Sequence, residues 1–151
     1  MAPPAPPPSN GTSLRERMAS LGRVIGAREA ANADALGEAF AVAKRLHGLV
    51  ADALEAFHTA LEAAGGKHLH VMLGVPRLDE KHVHAVQFEL LRGRAVAIVT
   101  VRSRGEVTLV GPFAAGKAEG PCQKISWDDA ASVEQALENF LARFVDEATK
   151  P

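Results

Sequence analysis

Four of the six histidines fall in two His-x-His pairs, His68/His70 and His82/His84. Imidazoles at alternate strand positions point the same way, which is how a pair of them reaches one metal ion. If His68 to Val75 and His82 to Leu91 form strands, Glu89 shares a face with His68 and His70. Two imidazoles and a carboxylate across a strand pair then make a candidate metal site of His68, His70 and Glu89. The same register sends His82 and His84 to the opposite face, so the four rings do not converge. Histidines that end a strand or pack at a sheet edge are the competing reading.

The run His82-Val83-His84-Ala85-Val86-Gln87-Phe88-Glu89 resembles the first metal motif of cupins, His-x-His followed by Glu. The resemblance covers eight residues and implies a barrel with a further histidine from a later motif; the chain has no histidine after His84. A second spacing, Gly111-Pro112-Phe113-Ala114-Ala115-Gly116-Lys117, fits a phosphate-binding loop only in outline. Ala118 stands where magnesium needs Ser or Thr, and Gly120-Pro121 stops the helix that should follow. Cys122, the single cysteine, lies near Lys117 and Lys124, either of which lowers a thiol pKa when close. No histidine is near it in sequence, and no Gly-x-Ser-x-Gly elbow is present. No catalytic set emerges, a non-catalytic role is expected, and no cofactor is called for.

The elements that would position these residues follow from periodicity. Residues 1–12 hold five of the nine prolines and no side chain large enough to anchor a core, so a disordered Pro-rich tail is expected. Leu14, Met18, Leu21 and Ile25 recur at helical spacing behind Ser13 as N-cap with Glu16 three residues on, but Gly22 and Gly26 make 13–32 a weak helix or linker. From Ala33 a stronger seam runs through Leu36, Phe40, Ala43, His47, Val50, Leu54, Phe57 and Leu61 until Gly65-Gly66 ends it. At 1.5 Å per residue, Ala33 to Ala64 spans roughly 48 Å, more than a short sheet covers. Part of the seam is therefore expected to meet another helix, either the one before it or a second copy of the chain, and Leu36, Phe40, His47, Val50, Leu54, Phe57 and Leu61 are the candidate interface residues.

Four strand-like runs come next: 68–75, 82–91, 95–102 and 106–110. Arg92-Gly93 and Ser103-Arg104-Gly105 are hairpin turns, so the last three runs form an antiparallel meander. Val86, Phe88 and Leu90 then align with Ala97, Val99 and Val101 and with Val107 and Leu109 on a uniformly apolar face. Gln87, Glu89, Ile98, Thr100 and Thr108 fall on a mixed face, which is expected to be partly covered. Residues 111–122 read as a loop. Ser126-x-x-Asp129 offers a cap for a helix in which Val133, Leu137, Phe140, Leu141, Phe144 and Val145 share a side. The expected fold is α+β: a long N-terminal helix, a four-stranded antiparallel meander and a C-terminal amphipathic helix packed on one sheet face. Residues 33–149 form a single α+β domain in this reading.

With 151 residues, 47% of them hydrophobic, the chain has material for one core. Seventeen Lys and Arg against eighteen Asp and Glu leave a net charge of -1, so no bulk positive charge draws it to nucleic acid or anionic lipid. Arg92 and Arg94 mark one turn and Arg102 and Arg104 the next, at opposite strand ends roughly 25 Å apart. The order of elements is similar to a double-stranded RNA-binding domain, but Asp128-Asp129 stands where such domains place lysines. No apolar run reaches the length of a membrane helix, no signal peptide is evident, and one cysteine fits a reducing compartment, so a cytoplasmic location is expected. The surplus of apolar surface on the seam and the mixed face points to a non-catalytic, self-associating interaction module: a homo-oligomer, with a protein partner as a further option. The alternative is a small-ligand or metal-binding domain using His68, His70 and Glu89.

Overall fold

A computed structural model describes residues 13–79, 84–116 and 120–151. The Pro-rich segment 1–12 and His82 lie outside the described residues. Helix α1 runs Leu14–Ala63. Ser13 caps it as the sequence requires, its Oγ accepting the Glu16 N–H at 3.1 Å. Gly65, at a φ of 88°, ends it, and the Gly66 N–H reaches back to the Leu61 carbonyl at 2.8 Å. The chain divides into two compact units, one through Asp34 and one from Ala35 onward. In the first, every described residue is exposed and helical from Leu14 on, so 13–32 is helix despite Gly22 and Gly26.

The second unit joins the rest of α1 to a sheet and a C-terminal helix. Strands β1 (Met72–Leu73), β2 (Arg77–Leu78), β3 (Ala85–Arg92), β4 (Ala95–Arg102), β5 (Glu106–Ala114) and β6 (Cys122–Ser126) are all antiparallel. Their order is β1-β3-β4-β5-β6, with β2 also pairing β3. Helix α2 follows at Ala130–Ala148. The α+β class and the meander of β3, β4 and β5 stand as expected.

The meander's register is the one the alternation demands. Phe88 lies opposite Val99, and Val99 opposite Leu109; Val86 pairs with Val101, which pairs with Val107. These side chains are almost completely buried, together with Ala39, Ala43, Leu46, Val50 and Leu54 of α1 and Val133, Ala136, Leu137, Phe140 and Phe144 of α2. The apolar face therefore seats two helices, not the C-terminal one alone. None of Gln87, Glu89, Ile98, Thr100 or Thr108 belongs to that core, although Thr100 and Thr108, paired across strands, are themselves buried.

Three local expectations are corrected. The strand expected over 68–75 shrinks to Met72–Leu73, because Lys67–Leu69 is a 3-10 turn and Pro76 lacks an N–H to continue a ladder. The facing survives: Val71 is buried, Leu73 packs on the core and Met72 is exposed. The loop expected over 111–122 is partly strand, since β5 runs on to Ala114 and β6 returns beside it, making five strands in line plus the short β2. Gly111 sits where β5 crosses the bulge in its pairing with β4; at a φ of 117°, a Cβ there would stand 2.8 Å from the Val96 carbonyl oxygen. Finally, the cap of α2 is Asp129, which accepts the Ser132 N–H at 3.1 Å and the Ser132 hydroxyl at 2.6 Å, while Ser126 is the last residue of β6.

Truncation should separate the two faces. Phe88→Ala is expected to lower stability by about 3–5 kcal/mol. Gln87→Ala, one residue away on the mixed face, is expected to cost less than about 1 kcal/mol. Urea unfolding of both variants checks this; equal losses would mean that the register is wrong or that both faces are core.

Candidate functional site

The three ligands that the sequence offers, His68, His70 and Glu89, lie in different local settings. His68 is exposed within the 3-10 turn, His70 follows it outside any strand, and Glu89, half-buried, lies on the mixed face of β3 against Gly74. Without a strand at 68–70, the alternation that would aim both rings at Glu89 does not apply. Among the described residues, no three His, Cys, Asp or Glu side chains are grouped closely enough to hold a metal ion. Cys122 is exposed on the edge strand β6, and Lys117 lies outside the described residues.

Two other imidazoles, both on α1, do structural work at the sheet edge. His47 brings Nε2 to 3.0 Å from the Gly74 carbonyl, and its ring meets Phe88 edge-on at 5.3 Å. A carbonyl only accepts, so His47 Nε2 carries the proton. His58 takes the opposite role, its Nε2 accepting the Val71 N–H at 3.0 Å. Its ring is stacked on His70, the centroids 3.8 Å apart and the planes 7° from parallel. Three helical turns apart, the two rings hold the backbone of 71–74 against α1. Desolvation lowers the His58 pKa, and the charge of a protonated His70 lowers it further.

The seam divides by burial. Val50 and Leu54 are 1% and 3% exposed, covered by this chain's own core before any partner arrives. His47, Leu36, Phe40, Phe57 and Leu61 are half-buried, and Leu36, Phe40 and Phe57 pack beside that core.

Between α1 and α2 lies an open groove of about 740 Å³. Leu49, Ala53 and Phe57 line it from α1, and Leu141 and Val145 from α2, over the buried Val50, Leu54 and Leu137. The α2 side also carries Glu134, Glu138 and Asp146. Asp146 has Lys150 at 3.3 Å; among the described residues, Glu134 and Glu138 have no ion-pair partner. An apolar trough edged by carboxylates suits the apolar stripe of a basic amphipathic helix.

Sequence reasoning missed His58 and the groove. His58 continues a row of positions, His47, Ala51, Leu54 and His58, that runs beside the seam at spacings of 4, 3 and 4, and that row was the available signal. The groove had none, because its walls come from segments about 80 residues apart and exist only once both helices lie on the sheet. The chain matches no protein family, no curated protein and no solved structure with which it was compared.

The His58 contact makes stability depend on pH. The folded chain resists protonating His58 more than the unfolded chain does, so the unfolded state binds more protons below the ordinary histidine pKa of about 6.5. The contribution is full above that value and is lost as pH falls towards the lowered one. In His58→Gln an amide oxygen can still accept the Val71 N–H but does not titrate, so the decline in melting temperature between pH 7 and pH 5 should be shallower than in wild type. Identical pH profiles would remove His58 from this role.

Proposed function

We propose that the protein is a cytoplasmic, non-catalytic interaction module that associates with copies of itself. The observation that carries this reading is the apolar stripe of Leu14, Met18, Leu21 and Ile25, between 46% and 75% exposed, with Val24 beside it at 62%. Five large apolar side chains within three turns of helix are unusual for a surface that meets only water. The N-terminal segment of α1, residues 14–34, with two glycines and no buried side chain, also lacks the packing that normally sustains helical structure. A partner that covers the stripe supplies it. The single cysteine and the absence, among the described residues, of any helix long and apolar enough to cross a membrane accord with the location.

Sedimentation at tens of micromolar tests the reading. Wild type should run as a dimer or larger species, and Leu21→Glu with Ile25→Glu should run as a folded monomer, the fluorescence of Trp127 beside the core of the second unit unchanged. A monomeric wild type would overturn the proposal.

A further inference from the structure

The exposed stripe is flanked by charge. On a helical wheel with 100° per residue, Leu14, Met18, Leu21 and Ile25 fall within about 60° of one another. Arg17 and Arg28 border them on one side, with Val24 just beyond, and Arg15 stands on the other. Residues 14–28 hold four arginines against one glutamate, Glu16. Helix α2 has the inverse balance, with Glu134, Glu138, Asp146 and Glu147 against Arg143. Of those four carboxylates, Glu134, Glu138 and Asp146 line the groove. A near-neutral chain thus holds a basic apolar stripe and an acidic apolar trough as separate surfaces.

Their dimensions also agree. From Leu14 to Ile25 the stripe is roughly 16 Å long, and Glu134 to Val145 covers the same length of α2, at 1.5 Å per residue. Leu49, at the groove's lip, is 42% exposed and is apolar surface that an inserted helix would cover.

We propose, resting on the self-association reading above, that the groove between α1 and α2 is the docking site for residues 14–28 of a second copy. The stripe of one copy lies on Leu49, Phe57, Leu141 and Val145 of the other, and its Arg17 and Arg28 face Glu134 and Glu138. The occupant is a second copy because the arginine-flanked stripe and the carboxylate-edged trough, both carried by this chain, complement each other in charge and length.

Charge reversal on exposed residues tests this without disturbing the core. Arg17→Glu with Arg28→Glu, and separately Glu134→Arg with Glu138→Arg, should each weaken association about tenfold or more by setting like charges together. All four changes in one chain should restore it. Wild-type association should also weaken as salt rises. In a Cys122→Ser background, Met18→Cys and Ala142→Cys joined by a bismaleimide should give a product of dimer mass.

The two proposals fail differently. A monomeric wild type ends both. A wild-type dimer that neither charge-reversed pair weakens keeps self-association and overturns the groove as its site, as would a combined variant no tighter than the single pairs. A cross-linked product of monomer mass would show the chain's own segment in the groove and overturn the second copy as occupant.

Discussion

Phe88, Val99 and Leu109 stand in one row across the three middle strands, and burying that row is the constraint from which the rest of the second unit follows. Short hairpins at Gly93 and Gly105, both at positive φ, leave the register no freedom, so every apolar residue of the meander on that face must be covered at once. One helix presents a single stripe and covers only part of such a face. Two are used. Ala39 and Ala43 of α1 and Ala136 of α2 are buried as small side chains, while Leu46 of α1 and Phe140 and Phe144 of α2 are the larger ones buried in the same core. The groove is a by-product of this solution, because two rods lying on one surface leave a trough between them.

The opposite problem arises at the edge. Strand β3 is paired on its outer side by two fragments of two residues each, and between them Pro76 has no hydrogen to donate. A ladder so interrupted leaves backbone groups that must find other partners. The Gly74 N–H still reaches the Glu89 carbonyl at 2.8 Å, but the Gly74 carbonyl and the Val71 N–H turn inward to His47 and His58. An imidazole supplies either a donor or an acceptor from the same ring, so one residue type serves both ends of the segment. Only the accepting ring loses its bond on protonation, since a charged imidazole still donates. Acid therefore acts on the Val71 contact and leaves the Gly74 contact in place.

What could be read from the residues beforehand was whatever depends on near neighbours. The facing of Val86, Phe88 and Leu90, the hairpin glycines, the Ser13 cap and the end of α1 at Gly65 are each decided within a few positions, and each was legible. Strand 68–75 was misread because its backbone is satisfied by side chains from a helix 13 and 27 residues away in sequence. Strand β6 was missed because it is an exposed edge: only Ile125 of its five residues is half-buried, and a lysine in such a strand reads as loop although it is a common guard of edges. The basic character of 14–28 stood in the sequence as a count of arginines. It had no complement until α1 and α2 were side by side, and so the pairing of the two surfaces was beyond any reading of periodicity.

The geometry of such a contact constrains the assembly. A stripe meeting a groove joins two different surfaces, and contacts of that kind end only when symmetry closes them. If two copies exchange stripes reciprocally, both stripes and both grooves are filled and growth stops at a dimer. If the stripe of each copy enters the groove of the next without returning, every addition leaves one stripe and one groove free, and the assembly is a ring or an open filament. The charges bear on this choice. Apolar contact alone would accept many registers, whereas the carboxylates that line the groove lie only on its α2 side, so the border with Arg17 and Arg28 turns towards α2 and Arg15 is left on the side of α1. That asymmetry selects how the helix lies in the trough, and with its direction set, the rotation relating one copy to the next is set as well.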